Sequence, residues 1–142
     1  MTHPLRDYFG FRILQIHRAH RNRAETALNQ LGLYTGQEMV LFQLWRQEGT
    51  TQSELAEILC VGAPTMTKSL KRLEQAGLVE RRQDSEDARV FRVYLAPRGQ
   101  ALEAPVRKIW QDLETMTVEG LSEAEKKQLR RLLDRLEANL SE

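Results

Sequence analysis

Cysteine occurs once in this 142-residue chain, at Cys60. A single thiol excludes an internal disulfide and suits a reducing compartment. Histidine is scarce too: His3, His17 and His20 are the full set. His17 and His20 stand i, i+3 on one helix, but spacing marks no further ligand beside them, so no metal site is expected. No segment approaches the ~18 consecutive apolar residues that a membrane span requires. The opening MTHPLRDYFG has no basic stretch followed by an apolar core, so no signal peptide is expected. There is no Gly-rich phosphate loop and no Ser-His-Asp spacing. The carboxylates of ELAE and SEDAR read as charged faces, so neither catalysis nor a cofactor is expected. These absences point to a cytoplasmic protein with no membrane partner. Net charge is nearly missing as well, at +1. Any signal for nucleic acid must therefore come from where the charge sits.

The charge is unevenly placed. Residues 68–98 hold Lys68, Lys71, Arg72, Arg81, Arg82, Arg89, Arg92 and Arg98, whereas 111–142 interleaves acids with bases. Apolar periodicity gives the elements. Residues 4–31 read as one long helix with Phe9, Ile13, Ile16, His20, Ala24, Leu28 and Leu31 on a stripe, stopped by Gly32. TGQE at 35–38 reads as a capping box in which Thr35 caps and Glu38 reaches back. The helix it starts runs through Arg46 and buries Val40, Leu41 and Leu44. TQSE at 51–54 is a second capping box, opening a short helix with Leu55, Ala56, Ile58 and Leu59 inside. CVG makes a tight turn. A helix over about 63–76 follows, anchored by Met66, Leu70 and Leu73 and ended by Gly77. LVERR and RVFRVYL alternate as strands around the polar QDSEDA, which predicts a β-hairpin. APRG restarts helix through about Met116. SEAE at 122–125 is a third capping box, and the last helix carries Leu129, Leu132, Leu133, Leu136 and Leu140 on one stripe. The expected fold class is mainly α with a small β-hairpin wing.

Two short helices joined by a tight turn and followed by a hairpin form a winged helix-turn-helix. The second helix can lie in the major groove with its N-terminal residues at base edges. Pro64 suits that end, because it has no N–H to satisfy. Thr65 and Thr67 can bond to bases or touch a thymine methyl, and Lys68 can reach guanine or a phosphate. Lys71 and Arg72, further along, are placed for the DNA backbone. Arg89 flanks the hairpin tip, where an arginine can enter a narrow minor groove.

TGQEMVLFQL, TTQSELAEIL, PTMTKSLKRLEQAGLVERR, DSEDAR and APRG, in this order and spacing, resemble the MarR family of bacterial transcriptional regulators. The resemblance covers nearly the whole chain. It implies a single unit over 1–142, with a DNA-binding part at 35–99 and helical dimerisation parts at 4–31 and 100–142. It implies a homodimeric repressor, or sometimes activator, on a palindromic operator, with a small molecule modulating its affinity for double-stranded DNA. It also implies that Asp87 orients Arg89, that Ser53 approaches a phosphate, and that Thr65, Thr67 and Lys68 face the major groove. In proteins of this kind small molecules bind where the dimer helices meet the winged part. That makes His17, His20, Arg21, Tyr34, Met39 and Phe42 candidates for an aromatic or anionic effector. The alternative reading is a winged-helix protein-interaction module that does not read DNA.

Three positions depart from the family pattern. Cys60 stands where the turn usually has Gly, Ala88 where a second basic wing residue is common, and Ala96 where Thr would cap the next helix. Cys60 is expected to be buried and inert in its turn. The leucines of the last helix would form an exposed patch on a monomer, so a partner copy is expected to cover them.

Overall fold

Period-3.6 stripes and capping residues set the boundaries of most elements. The computed structural model describes residues 4–141; His3 lies outside them. The elements are α1 (Phe9–Asn29), α2 (Gln37–Arg46), β1 (Thr50–Thr51), α3 (Gln52–Ile58), α4 (Ala63–Gln75), β2 (Val79–Gln83), β3 (Phe91–Leu95), α5 (Pro97–Ala101), α6 (Glu103–Thr117) and α7 (Glu123–Leu140). The three strands form one antiparallel sheet ordered β1-β3-β2. Among the described residues no helix is long and apolar enough to cross a membrane. The architecture is mainly α with a winged helix-turn-helix at its centre.

Four details differ from the sequence reading. The first helix does not run from residue 4. Pro4–Asp7 form a separate 3-10 turn, and Tyr8 is extended before α1 begins at Phe9, where the apolar stripe also begins. Thr35 does not cap α2. Gly36, at φ 101°, takes the N-cap position, and Glu38 reaches back to the Gly36 N–H at 2.8 Å. The hairpin has a third strand: Thr50 pairs with Val93 and Thr51 with Arg92. The helix expected after β3 is two helices broken at Leu102. Pro105 explains that break. It has no N–H to offer the Ala101 carbonyl, and its ring would collide with it, so α5 stops and α6 restarts with proline in its first turn.

The other two capping boxes form as expected, Thr51 with Glu54 and Ser122 with Glu125. Ala96, at the N-cap of α5, makes no side-chain cap. Gly99 sets the approach of α5 to the sheet: a Cβ there would run into the Leu78 carbonyl oxygen. That oxygen already accepts from the Ala96 N–H at 3.0 Å, while the Gly99 carbonyl accepts from Trp45 Nε1 at 3.1 Å.

One core joins the helices to the wing. Leu28, Leu41, Leu55, Leu70, Leu73, Val93 and Val106 are fully buried in it. Of the terminal stripes, only the C-terminal end of α1 reaches it. On α1 only Ala24 and Leu28 are buried, whereas Phe9, Ile13 and Ile16 are exposed. On α7 no residue is buried; Leu129, Leu132, Leu133 and Leu136 are 39% to 50% exposed.

Candidate nucleic-acid interface and the crevice behind it

Helix α4 is pinned from below. Met66, Leu70 and Leu73 are at most 1% exposed, so the helix can neither roll nor slide without opening the core. That anchoring turns Pro64, Thr65, Thr67, Lys68, Lys71 and Arg72 outward, and all six are exposed. The N-cap is Gly62, which has no side chain to accept the first N–H groups. Those groups and the positive end of the helix dipole therefore face solvent. Among the described residues no carboxylate forms an ion pair with Lys68, Lys71 or Arg72. At the far end Gly77 (φ 74°) closes α4: its N–H reaches the Glu74 carbonyl and the Leu78 N–H reaches that of Leu73. Arg98 Nη1 then caps the Ala76 carbonyl at 2.8 Å.

The same closure ends α3, with a different residue in it. The Cys60 N–H bonds to the Glu57 carbonyl and the Val61 N–H to that of Ala56. Cys60 holds φ at 54°, the left-handed conformation that favours glycine. Its side chain is exposed, which corrects the expectation of a buried thiol. Ile58, expected inside, is 50% exposed as well. With only seven residues, α3 has a buried face just wide enough for Leu55 and Ala56.

Ser53 is exposed in the first turn of α3. Its neighbour Gln52 has a role the sequence did not signal. Gln52 Nε2 donates to Thr67 Oγ1 at 2.8 Å, and its Oε1 accepts from Arg81 Nη1 at 3.3 Å. Arg81 Nε in turn pairs with Glu74 Oε1 at 2.6 Å. The four side chains tie α3, α4 and β2 together along one edge of the outward face. Nothing in the local pattern of residues 52 and 81 reveals a meeting across 29 positions.

The wing loop closes on two aspartates. Asp84 Oδ2 accepts from the Glu86 and Asp87 N–H groups, and Asp84 Oδ1 accepts from Arg92 Nε at 2.6 Å. Arg92 also donates to the Gly49 carbonyl, stapling the loop to the approach of β1. The Arg92 guanidinium holds the Asp84 carboxyl below the usual carboxylate range. Asp87 accepts from both the backbone N–H and the guanidinium of Arg89, at 3.0 to 3.3 Å, and its pKa is lowered for that reason. The Arg89 side chain is 91% exposed. It is thus aimed by Asp87 yet open to solvent.

Behind α4, four of the six effector candidates come together. His17, His20, Arg21 and Met39 line a crevice of about 430 Å³ between α1, α2 and α6, with Thr35, Glu38 and Trp110. The His20 ring tilts against Trp110 with centroids 5.4 Å apart. Thr35 Oγ1 and Trp110 Nε1 are buried and have no hydrogen-bond partner among the described residues. Glu38 is 2% exposed, and burial raises its pKa against the opposing pull of its backbone hydrogen bonds and of Arg21. Tyr34 lies elsewhere. It lines a second cleft with Met39, Ile58, Val61, Lys68 and Arg72. Phe42 stands behind the crevice, edge-on to Trp45 and Trp110. Sequence reasoning did not single out Trp110, which lines this crevice.

The family model for the MarR family matches residues 33–91. The HTH-type transcriptional regulator TtmR of Methylorubrum extorquens (strain PA1) is 34% identical over 100 residues, 70% of this chain and 49% of that protein. The HTH-type transcriptional regulator YwoH of Bacillus subtilis (strain 168) is 42% identical over 91 residues, 62% of this chain and 66% of that one. The aligned part thus spans about half of TtmR and just under two thirds of YwoH. Among solved structures, the S. aureus MepR–DNA complex superposes with a TM-score of 0.88 at 27% identity, covering 93% of this chain and 98% of that one.

Proposed function

We propose that the chain is a winged helix-turn-helix transcriptional regulator of the MarR family, acting as a cytoplasmic, homodimeric repressor on a palindromic operator. The observation that carries the reading is the outward face of α4. Its N-terminus is uncapped, its threonines are exposed, and Lys68, Lys71 and Arg72 have no acidic partner among the described residues. The wing arginines beside it are each held by a carboxylate. Cations left without partners on a rigid face suit a polyanion whose counterions they displace. In this reading Thr65, Thr67 and Lys68 meet base edges, Pro64 opens the helix toward the DNA, Lys71, Arg72 and Ser53 meet phosphates, and Arg89 enters the minor groove, aimed by Asp87. Two copies related by a dyad place their α4 helices about 34–36 Å apart, one turn of DNA.

Dimerisation is supported by the bare stripes of α1 and α7, which a second copy would cover. Effector control is supported by the crevice of His17, His20, Arg21 and Met39. Its lining of His20 against Trp110, with Arg21 beside them, suits a small aromatic molecule carrying a negative charge. Binding there would lower DNA affinity by as much as the effector prefers the non-binding arrangement.

Selection of bound sequences from random DNA tests the reading. A palindrome with half-sites one turn apart is expected; a pool that never enriches would end it. On the recovered site, Lys68→Ala is expected to cost about 1–3 kcal/mol of specific affinity. Arg72→Ala instead flattens the salt dependence by about 0.9 in slope for each phosphate it leaves unneutralised. Salt titrations of both variants that superpose on the parent would contradict this docking.

A further inference from the structure

A threonine hydroxyl has one proton and two lone pairs, so on a DNA-reading helix it can serve either donors or acceptors. Thr67 has had that choice removed. Its Oγ1 donates to the Ala63 carbonyl one turn back, at 2.9 Å, and accepts from Gln52 Nε2 at 2.8 Å. The direction of the second bond is set from further away. Arginine only donates, so the oxygen of the Gln52 amide must be the atom that meets Arg81 Nη1, and its NH₂ must be the group that meets Thr67. Arg81 is itself held by Glu74 through Nε. A fixed order of donors thus runs from the Arg81 guanidinium through Gln52 and Thr67 to the Ala63 carbonyl.

We infer that Gln52, oriented by Arg81, is a positioning residue that fixes the hydrogen-bonding polarity of Thr67 and thereby the kind of base Thr67 can read. The inference rests on the reading of α4 as the helix in the major groove. With its proton committed inward and one lone pair taken by Gln52, Thr67 offers DNA one lone pair and one methyl group. It can accept from the N4 amino group of cytosine or the N6 amino group of adenine, and its methyl can pack on the thymine C5-methyl. It cannot donate to guanine O6 or N7 without giving up the Ala63 bond. A freely rotating threonine would tolerate all of these.

The test is selection from random DNA with the full chain, run in parallel for the parent, Thr67→Val, Gln52→Leu and Gln52→Glu, with thermal unfolding confirming that each folds. Thr67→Val keeps the branched shape and removes the hydroxyl, so the column that loses preference marks the base Thr67 reads. In the parent that column is expected to favour a base offering an amino group, by about tenfold over guanine. Gln52→Leu is expected to bring the same column toward parity while leaving the columns read by other residues unchanged. Gln52→Glu still presents an oxygen to Arg81 and keeps the Thr67 proton on the protein side. It is expected to lower affinity uniformly and preserve the preference, an outcome that general loosening of α3 would not produce. A column that favours guanine, or one unmoved by Gln52→Leu, overturns the inference and leaves the DNA reading standing. Failure of the parent to enrich any sequence overturns both.

Discussion

A carboxylic acid that is 2% exposed holds its proton longer than one in water. Glu38 is such a residue, with desolvation outweighing the help of the Gly36 N–H and of Arg21. Its pKa is higher folded than unfolded, so the folded state binds the proton more tightly. The stability this confers is complete below the ordinary glutamate pKa and is lost as pH rises through the folded-state value. Glu38→Gln keeps an oxygen for the Gly36 N–H and cannot ionise. Urea unfolding is expected to show the variant gaining on the parent as pH rises from acidic to neutral; parallel pH profiles would contradict the assignment. At this scale the sequence is read well where a side chain acts within its own turn. Thr51 and Ser122 cap as their motifs require. It is read poorly where a neighbour competes. TGQE has the same letters at the right spacing, but Gly36 adopts a left-handed backbone and displaces Thr35 from the cap. Burial and long-range pairing were not legible either, which is why Glu38 read only as a cap residue and the link between Gln52 and Arg81 did not show.

Helices α3 and α4 end in the same hydrogen-bonded closure, once with Cys60 and once with Gly77 at the left-handed position. The Cβ of a residue held there costs about 1–2 kcal/mol, offset in part by the greater freedom glycine has when unfolded. Cys60→Gly is therefore expected to raise stability by about 1 kcal/mol, seen as a higher urea midpoint at unchanged slope. A lower midpoint would mean that the exposed thiol side chain makes contacts that outweigh the backbone. Among the elements, each helix expected from periodicity has a counterpart, although the first starts only at Phe9 and the one after β3 is split. Two misses have local causes. Thr51 serves as both strand residue and helix cap, so the capping box concealed β1. Pro105 sits within an otherwise continuous apolar stripe, and the stripe concealed the break between α5 and α6. In both cases one residue carried two instructions and the period showed only one.

For the molecule as a whole, the apolar period of α7 is plain in the sequence, but none of its residues is buried against the rest of the described chain. Leu129, Leu132, Leu133 and Leu136 stay exposed, as do Phe9, Ile13 and Ile16 on α1. Leu132→Glu places a charge in the middle of the α7 stripe. It is expected to leave the fold intact and convert a dimer to a monomer by sedimentation velocity, with loss of affinity for a full palindrome but little for a single half-site. A variant that remains dimeric would move the interface elsewhere. The outward face of α4 was thus largely legible as a motif, whereas a surface that stays bare in one chain does not name its partner in the sequence.

The turn at Cys60 offers a way to follow the distance between the α4 helices of two copies. The chain has one thiol, it is exposed, and it stands at the hinge from which α4 departs. A nitroxide or fluorophore attached to it would be unique in each copy. In a dimer the two labels would form one pair, so their separation would act as a ruler laid between the two reading heads, able to register a small molecule in the crevice as a change in length.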